Sequence, residues 1–288
     1  MTTIDEPPVQ PVDFASEHSV ALPVEVLDYT ELVERMGSDY FAHAQRPSFE
    51  LMIFVRAGTG THTIDFQRHA LHPGRALFIR PGQVQQWHIE NTVDAVVVVA
   101  SPAASSAVSW LPGDAPSADL GKDSQTTAHA LVAALEREQQ RFTADEHTIK
   151  LITALFASLV ALFHQASTGP GRGALPPAYV AFRGAIESDL TRSRNVRDFA
   201  AGLGYSERTI SRACQSVTGL TAKAVLDERL MLEAKRLLAH SDHTLANIST
   251  MVGFSEPTNF SKFFERVTGQ TPTNFRQSLR DNLYRGEH

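Results

Sequence analysis

An internal repeat in the second half of the chain constrains the fold more than any other sequence feature. Residues 204–219 read GYSERTISRACQSVTG, and residues 253–269 read GFSEPTNFSKFFERVTG. The copies share Gly-aromatic-Ser-Glu at the start and Val-Thr-Gly at the end, and the second has one extra residue, which this alignment places at Asn259. Each copy follows a short segment with helical spacing of apolar residues, at 195–203 and 244–252. The repeat predicts two copies of one supersecondary motif.

The turn and capping residues of each copy indicate a helix–turn–helix. Gly204 and Gly253 stand where the first helix of each motif must stop and reverse, a position suited to a positive φ. Pro257 falls in the first turn of its helix, where the missing N–H costs little. Side-chain oxygens that can accept orphan backbone N–H groups predict four helix N-caps. These N-caps are Asn195, Ser206, Thr244 and Ser255.

The second helix of each motif is predicted to be amphipathic. Its apolar face is formed by Ile210, Ala213, Cys214 and Val217 in the first copy and by Phe260, Phe263, Phe264 and Val267 in the second. The opposite face carries side chains that can reach base edges or phosphates from the major groove. The predicted DNA-binding residues are therefore Arg208, Ser211, Arg212 and Gln215, then Thr258, Asn259, Lys262 and Arg266.

A long amphipathic helix over 221–239 is predicted to join the two motifs and to hold them at a fixed separation. Two recognition helices on one face of the duplex would then sit about one helical turn, ~34 Å, apart. Thr271 and Pro272 begin a final helix that is expected to end near Leu283. A single helical hairpin with a glycine turn can imitate a helix–turn–helix, but duplication with the same caps and charged face favours DNA binding.

The first half of the chain is predicted to be rich in strands. Apolar segments over 49–101, broken by Gly and Pro turns, indicate a compact antiparallel barrel or jelly roll. Residues 124–166 show helical periodicity and predict two helices, the second capped by Thr143 or Asp145. The fold class is α+β with two domains. The expected divisions are a flexible arm at 1–20, a sensory barrel at 21–119, a helical dimerisation or packing region at 120–168, a linker at 169–178 and a DNA-binding domain at 179–288.

Composition excludes several classes of protein. The 288 residues include one cysteine, so an intrachain disulfide or a cysteine metal cluster is impossible. No purely apolar stretch approaches the ~20 residues of a membrane helix, and the acidic, proline-rich start is unlike a signal peptide. We therefore expect a cytoplasmic protein that makes no membrane contact. The net charge of −6 combines +3 from residue 179 onward with −9 before it, which indicates different partners for the two halves.

Residues 179–283 resemble the DNA-binding domain of the AraC/XylS family of bacterial transcription regulators. The match runs in order through the whole domain: Ser206, Arg212, Gly219, Arg229, Ala234-Lys-Arg-Leu-Leu, Ile248, Val252-Gly-Phe-Ser, Phe260, Lys262, Phe264, Gly269, Thr271-Pro and Phe275-Arg276. The resemblance implies seven helices, with two recognition helices in successive major grooves. Carried over by position, it implies base reading by Arg208, Ser211, Arg212, Thr258, Asn259 and Lys262. Cys214 replaces a usual large aromatic and Ser249 a usual alanine.

The first half is similar, through residues 74–88, to the cupin-like sensory domain of many family members. A cupin metal site needs clustered histidines and a carboxylate. Gln85 stands where a ligand histidine is expected and no HxH pair precedes it, so no metal or other cofactor is expected. The barrel interior is the expected effector cavity. Its candidate residues are Arg56, His62, Arg80, Trp87 and His88, and ordinary strand positions remain an equal alternative for each.

These features together predict a sequence-specific DNA-binding transcription regulator with no catalytic residues, controlled by a small-molecule effector in the N-terminal barrel. The expected partners are double-stranded promoter DNA, the effector, a second copy of the chain and RNA polymerase. One alternative is a regulator that needs no effector or answers to a partner protein. Another is a metal-dependent cupin enzyme fused to a DNA-binding module. The sequence names neither the effector, nor the operator, nor the sign of regulation.

Overall fold

The computed structural model describes residues 9–13, 22–37, 40–41, 43–88, 93–105, 115–168, 175–190 and 193–285. These residues form two compact units, one up to Thr168 and one from Leu175 onward. The strands are β1 Gln10–Val12, β2 Val24–Asp28, β3 Gln45–Pro47, β4 Glu50–Ala57, β5 Gly60–Ile64, β6 Gln67–Leu71, β7 Arg75–Ile79, β8 Gln85–His88, β9 Asp94–Ala100 and β10 Ser117–Asp119. The helices of the first unit are α1 Tyr29–Met36, α2 Pro102–Ser105, α3 Lys122–Gln140 and α4 Glu146–Thr168.

The first unit is a sandwich of two five-stranded sheets. One sheet has the order β1-β3-β8-β5-β6 and the other the order β10-β7-β4-β9-β2. Strand alternation divides the second sheet into two apolar faces. Leu51, Ile53 and Val97 belong to the core shared with Ile64 and Trp87 of the first sheet. The other face packs against helices, in a core that includes Met52, Phe78, Val98, Val132 and Phe156. Because both faces are covered, β4 and β9 read as almost continuous apolar runs.

The two long helices of the first unit cover the outer face of the second sheet. Asp145 caps α4, because its Oδ1 accepts hydrogen bonds from the backbone N–H groups of His147 and Thr148, each at 3.0 Å. The segment Glu146–Ser167 is long and apolar enough to cross a membrane, with a mean hydropathy of 1.6. Its Phe156, Leu159 and Phe163 are fully buried in the core with the sheet. One face of α4 therefore packs on the sheet, while much of the rest of the helix is exposed or half-buried.

The described strands form two hydrogen-bonded sheets that pack face to face, the double-sheet arrangement of the predicted barrel or jelly roll. Two details of the first unit differ from the sequence prediction. Within the expected flexible arm at 1–20, β1 is a strand that pairs in parallel with β3; the remainder of that arm lies mostly outside the described residues. Short strands β2, β3, β6 and β10 were not predicted. Residues 169–174 of the expected linker also lie outside the described part.

The second unit is entirely helical over its described residues. Its helices are α5 Pro177–Ser188, α6 Val196–Leu203, α7 Glu207–Thr218, α8 Ala222–His240, α9 Leu245–Met251, α10 Pro257–Thr268 and α11 Pro272–Arg285. A single core runs through all of them and contains Phe182, Phe199, Leu226, Leu230 and Phe260. The central helix α8 contacts α6, α7, α9 and α11. The predicted strut therefore forms the axis around which both motifs pack.

Candidate nucleic-acid interface and ligand domain

The first helix–turn–helix consists of α6 and α7 and follows the predicted capping pattern. Asn195 caps α6, and the Ser206 side chain accepts a hydrogen bond of 3.1 Å from the backbone N–H of Thr209 in α7. Gly204 has a φ of 70°, which closes the turn between the two helices. Ile210 and Cys214 are completely buried, so the apolar face of α7 is fixed against the core. The opposite side of α7 is consequently turned to solvent.

The second helix–turn–helix consists of α9 and α10 and is built on aromatic packing. Phe260 and Phe264 are fully buried, with ring centroids 5.9 Å apart, and Phe254 contacts Phe260 at 5.5 Å. Thr244 caps α9 by accepting from the backbone N–H of Asn247 at 3.2 Å. Ser249 is buried, and its hydroxyl donates to the carbonyl of Phe254. A serine is thus accommodated at this position by a hydrogen bond within the turn.

The start of α10 corrects two predictions. Ser255 is not the N-cap; Glu256 occupies that position, without a side-chain cap, because Pro257 is the first helical residue. The extra residue of the second copy therefore lies in the turn and not at Asn259. Both recognition helices are twelve residues long, so residue n of α7 corresponds to residue n + 50 of α10. An insertion inside the helix would have rotated its polar face by about 100°.

This register places the predicted DNA-binding side chains in matched positions. Arg212 and Lys262 are each the sixth residue of their helix, and Arg208 matches Thr258. Seven of the eight predicted side chains are exposed, and Ser211 is half-buried. The residue that matches Ser211 is Ser261, which was not among the predicted DNA-binding residues.

Some of these side chains also bond within the protein. Gln215 donates to the carbonyl of Gly219 at 2.9 Å, at the C-terminal end of α7. The Arg266 guanidinium lies 5.6 Å from the centroid of the Phe263 ring. Val267 was predicted on the apolar face of α10, but its side chain is 49% exposed. Val267 shares the helix face of Phe263 and Phe264, so its exposure comes from its position in the last turn of α10 and not from its angle around the axis.

A network of ion pairs fixes the strut beneath the first motif. Arg229 on α8 contacts Glu187 of α5 at 2.8 Å and Glu233 of α8 at 3.1 Å. Arg183 and Arg236 extend the network at each end. These carboxylates raise the pKa of the Arg229 guanidinium even though burial alone would lower it. The network joins α5 to α8 and so supports α7, which packs on both helices.

The five predicted effector residues do not line one cavity. His62 and Trp87 are cross-strand partners on the inner face of the first sheet, with ring centroids 4.6 Å apart. His88 alternates to the other face and bonds to the Thr63 hydroxyl at 2.9 Å. Arg80 follows β7 and lies over the Phe78 ring, on the helix-covered side of the second sheet.

Arg56, the fifth predicted effector residue, lies near the surface. It forms ion pairs with Asp28 and Asp94. It also lines a cavity of about 150 Å³ beside Arg75 and α3. The five side chains are thus divided among the sandwich interior, the outer face of the first sheet, the helix-covered side and the molecular surface.

The sandwich interior nevertheless contains a polar cluster. His62 is completely buried, and neither ring nitrogen has a hydrogen-bond partner among the described residues. Burial, and to a smaller extent neighbouring His69 and His88, lower the pKa of His62 to about 3, although Gln85 opposes the shift. The Gln85 Oε1 and His69 Nε2 atoms are likewise buried without partners in the described part of the chain. A neutral imidazole can both donate and accept a hydrogen bond, so this cluster can bind an uncharged polar group.

A second buried polar group lies on the helix-covered side of the sandwich. Glu50, the first residue of β4, is 8% exposed, and burial raises the pKa of its carboxyl to about 7. Arg80 and His164 of α4 act in the opposite direction. Sequence analysis missed Glu50; the available signal was a carboxylate at a strand position that alternates with the apolar residues Met52 and Phe54. Among the described residues, no group of three or more His, Cys, Asp or Glu side chains is placed to hold a metal ion.

Tandem helix–turn–helix motifs on a shared core, preceded by a two-sheet sandwich, define a two-domain DNA-binding transcription regulator with a sensory domain. Comparison with known families agrees. Residues 31–156 match the AraC-like ligand binding domain, and residues 199–278 match a helix-turn-helix domain. The chain belongs to the AraC family of transcription regulators.

Curated relatives match both domains together. The chain is 26% identical over 246 residues to the HTH-type transcriptional activator RhaS of Citrobacter koseri, covering 82% of this chain and 87% of that protein. It is 24% identical over 261 residues to the activator RhaR of Enterobacter sp. (strain 638), covering 86% and 92%. Among solved structures, ToxT from Vibrio cholerae aligns over 88% of this chain and 97% of that chain, with 11% identity and a TM-score of 0.42.

Proposed function

We propose that this regulator binds double-stranded promoter DNA with the exposed faces of α7 and α10 in two major grooves. The observation that carries the proposal is the equal register of Arg212 and Lys262 on two helices of identical length. Arginine and lysine in such positions bind guanine O6 and N7, and the short side chains of Thr258 and Asn259 suit contacts to other base edges. The remaining predicted contacts, Arg208, Ser211, Gln215 and Arg266, flank these positions on the same two helices.

We further propose that a small-molecule effector binds in the sandwich interior around His62 and Trp87. The unpartnered nitrogens of His62 and the adjacent Gln85 amide supply hydrogen-bonding groups in an otherwise apolar core. Buried polar atoms of this kind are normally satisfied by protein, water or ligand. An effector that binds one conformer more tightly would shift DNA affinity by its differential binding energy. Arg56, Arg80 and His88 are placed elsewhere and are less suited to the same site.

Sensing, rather than catalysis, is the role that we propose for the first unit. The only cysteine of the chain, Cys214, is buried in the second unit, where burial raises the pKa of its thiol to about 11. A thiol of this kind is a poor nucleophile at neutral pH. The curated relatives are transcriptional activators. We propose in addition a cytoplasmic homodimer that acts on RNA polymerase at promoters.

The test of DNA readout is selection from a random duplex library by the full-length chain, followed by affinity measurements on the enriched sequence. Arg212→Ala and Lys262→Ala should each cost about 1–3 kcal/mol on that sequence and relax the preference at one position of their own half-site. Lys223→Ala, at an exposed position of α8, is the control and should retain the preference. Equal losses on selected and random DNA would make Arg212 a phosphate contact. A flat selection by the wild type would contradict the proposed function.

A further inference from the structure

One side chain connects the entry of the first motif to the aromatic core of the second. Arg194 directly precedes Asn195, the N-cap of α6. Its guanidinium carbon lies 3.4 Å from the centroid of the Phe254 ring and 5.2 Å from that of Phe263. Phe254 belongs to the turn of the second motif, and Phe263 belongs to its recognition helix α10. A planar cation at this distance over a ring makes a strong stacking and cation–π contact.

The backbone around Arg194 is fixed to the first motif. The Ser193 hydroxyl accepts a hydrogen bond of 2.9 Å from the backbone N–H of Asn195 and donates one of 2.5 Å to Asp198 of α6. Asn195 in turn accepts from the backbone N–H of Arg197 at 3.2 Å. The base of the Arg194 side chain therefore moves with α6.

The rings under the guanidinium are fixed to the second motif. Phe254 and Phe263 are 4% and 5% exposed, and their centroids are 5.2 Å apart. Burial lowers the pKa of the Arg194 guanidinium; nearby Asp227 of α8 opposes this shift, and Arg266 of α10 adds to it. The guanidinium is thus placed between the strut and the second recognition helix, and displacement of α10 would disturb its stacking.

Within the shared core, the two recognition helices pack mainly on different neighbours. α7 packs on α5, α6 and α8, whereas α10 packs on α9 and α11. We propose that Arg194 is a positioning residue that sets the orientation of α10 relative to α7, and so sets the half-site spacing that the protein accepts. This inference rests on the proposed function, because it requires both helices to bind one DNA site.

The experiment uses the full-length chain and two duplexes. The first is the sequence enriched from a random library by the wild type, and the second is the same sequence with one base pair inserted between its half-sites. One base pair adds about 3.4 Å and 35° between the half-sites. The spacing penalty is the ratio of the two dissociation constants. Unfolding temperature is measured for every variant, because a general loss of stability lowers both affinities and leaves this ratio unchanged.

Arg194→Met keeps much of the side-chain volume but removes the planar cation. We expect a loss of affinity for the enriched sequence of about fivefold to thirtyfold, the range that corresponds to a cation–π contact between partial and full desolvation. Affinity for the spaced duplex should change little, so the spacing penalty should fall by the same factor. Arg194→Lys retains the positive charge but lacks the planar guanidinium, so its spacing penalty should be intermediate. This variant also tests the proposal if Arg194→Met fails to fold.

Arg197→Met is the matched control. It removes the same charge three residues further along the chain, from a side chain that pairs with Glu207 inside the first motif. Its spacing penalty should equal that of the wild type. An unchanged penalty in both Arg194 variants would overturn the inference, and so would an equal fall in the Arg197 variant. Failure of the wild type to enrich any sequence would instead contradict the proposed DNA-binding function, so the two failures are distinguishable.

Discussion

Glu50 should make the stability of the first unit depend on pH, and Glu50→Gln should remove that dependence. The carboxyl lies at the start of β4 on the side of the sheet that α4 covers, and its Oε2 atom is buried without a hydrogen-bond partner among the described residues. Burial raises its pKa from 4.5 to about 7. The folded protein therefore retains a proton on Glu50 over a pH range in which the unfolded chain has already lost it.

The direction and size of the effect follow from proton linkage. Because the unfolded state binds fewer protons between pH 4.5 and about 7, the free energy of unfolding falls as the pH rises through this window. Each pKa unit is worth about 1.4 kcal/mol, so about 2 kcal/mol is lost between pH 5.5 and pH 8. Glu50→Gln has no proton to lose. The difference in unfolding free energy, variant minus wild type, should therefore increase by about 2 kcal/mol over that range.

Tryptophan fluorescence provides a suitable assay. Both tryptophans of the chain, Trp87 and Trp110, precede residue 169, so the signal during urea unfolding reports on the first half of the sequence. Unfolding is measured at pH 5.5, 6.5, 7.2 and 8 for the wild type and the variant. Glu136→Gln, an exposed position on α3, is the control and should give a difference that does not vary with pH.

The opposite slope would contradict a raised pKa of Glu50 in the folded protein. If the wild type gained stability relative to Glu50→Gln as the pH rose, attraction of the ionised carboxylate to Arg80 and His164 would exceed the cost of burial. The folded-state pKa of Glu50 would then lie below 4.5. A slope shared by Glu136→Gln would show that the dependence arises elsewhere in the chain.

Three further predictions concern capping, assembly and sensing. Ser206→Ala should lower the unfolding free energy of the second unit by about 1 kcal/mol, because it removes the N-cap of α7. Ser255→Ala should change the unfolding free energy little. Equal effects of the two substitutions would show that Ser255 is an N-cap. A fragment of residues 1–168 should sediment as a dimer formed through residues 120–166, since Ile149 and Leu151 on α4 are exposed apolar side chains. A fragment of residues 178–288 should sediment as a monomer. A monomeric 1–168 fragment would exclude this interface. The cognate effector should raise the unfolding temperature of the 1–168 fragment. It should change the affinity of the full chain for its operator but leave the operator affinity of the 178–288 fragment unchanged. Turnover of that ligand by the 1–168 fragment would instead indicate that the first unit is an enzyme.

Local sequence signals are sufficient to define most of the second unit. Helix caps, glycine turns and apolar spacing are local signals, because they act within four residues along the chain. They placed all of the helices α6 to α11 but gave the wrong cap for α10, and duplication separated a true pair of motifs from a chance hairpin. The same local signals named Asp145 as one of two candidate caps and located the longer strands of the sandwich. They also gave the family, through residues spread over the whole C-terminal domain.

Features that depend on packing between distant segments are set by the tertiary structure. The start of α10 at Pro257 came from the structure, since alignment alone placed the extra residue inside the helix. Strand alternation around the turns separated Arg56, Arg80 and His88 from the interior pair His62 and Trp87. The stack of Arg194 on Phe254 joins residues 60 positions apart, and such a contact leaves no periodic trace in the sequence, because it is set by how the helices pack around α8.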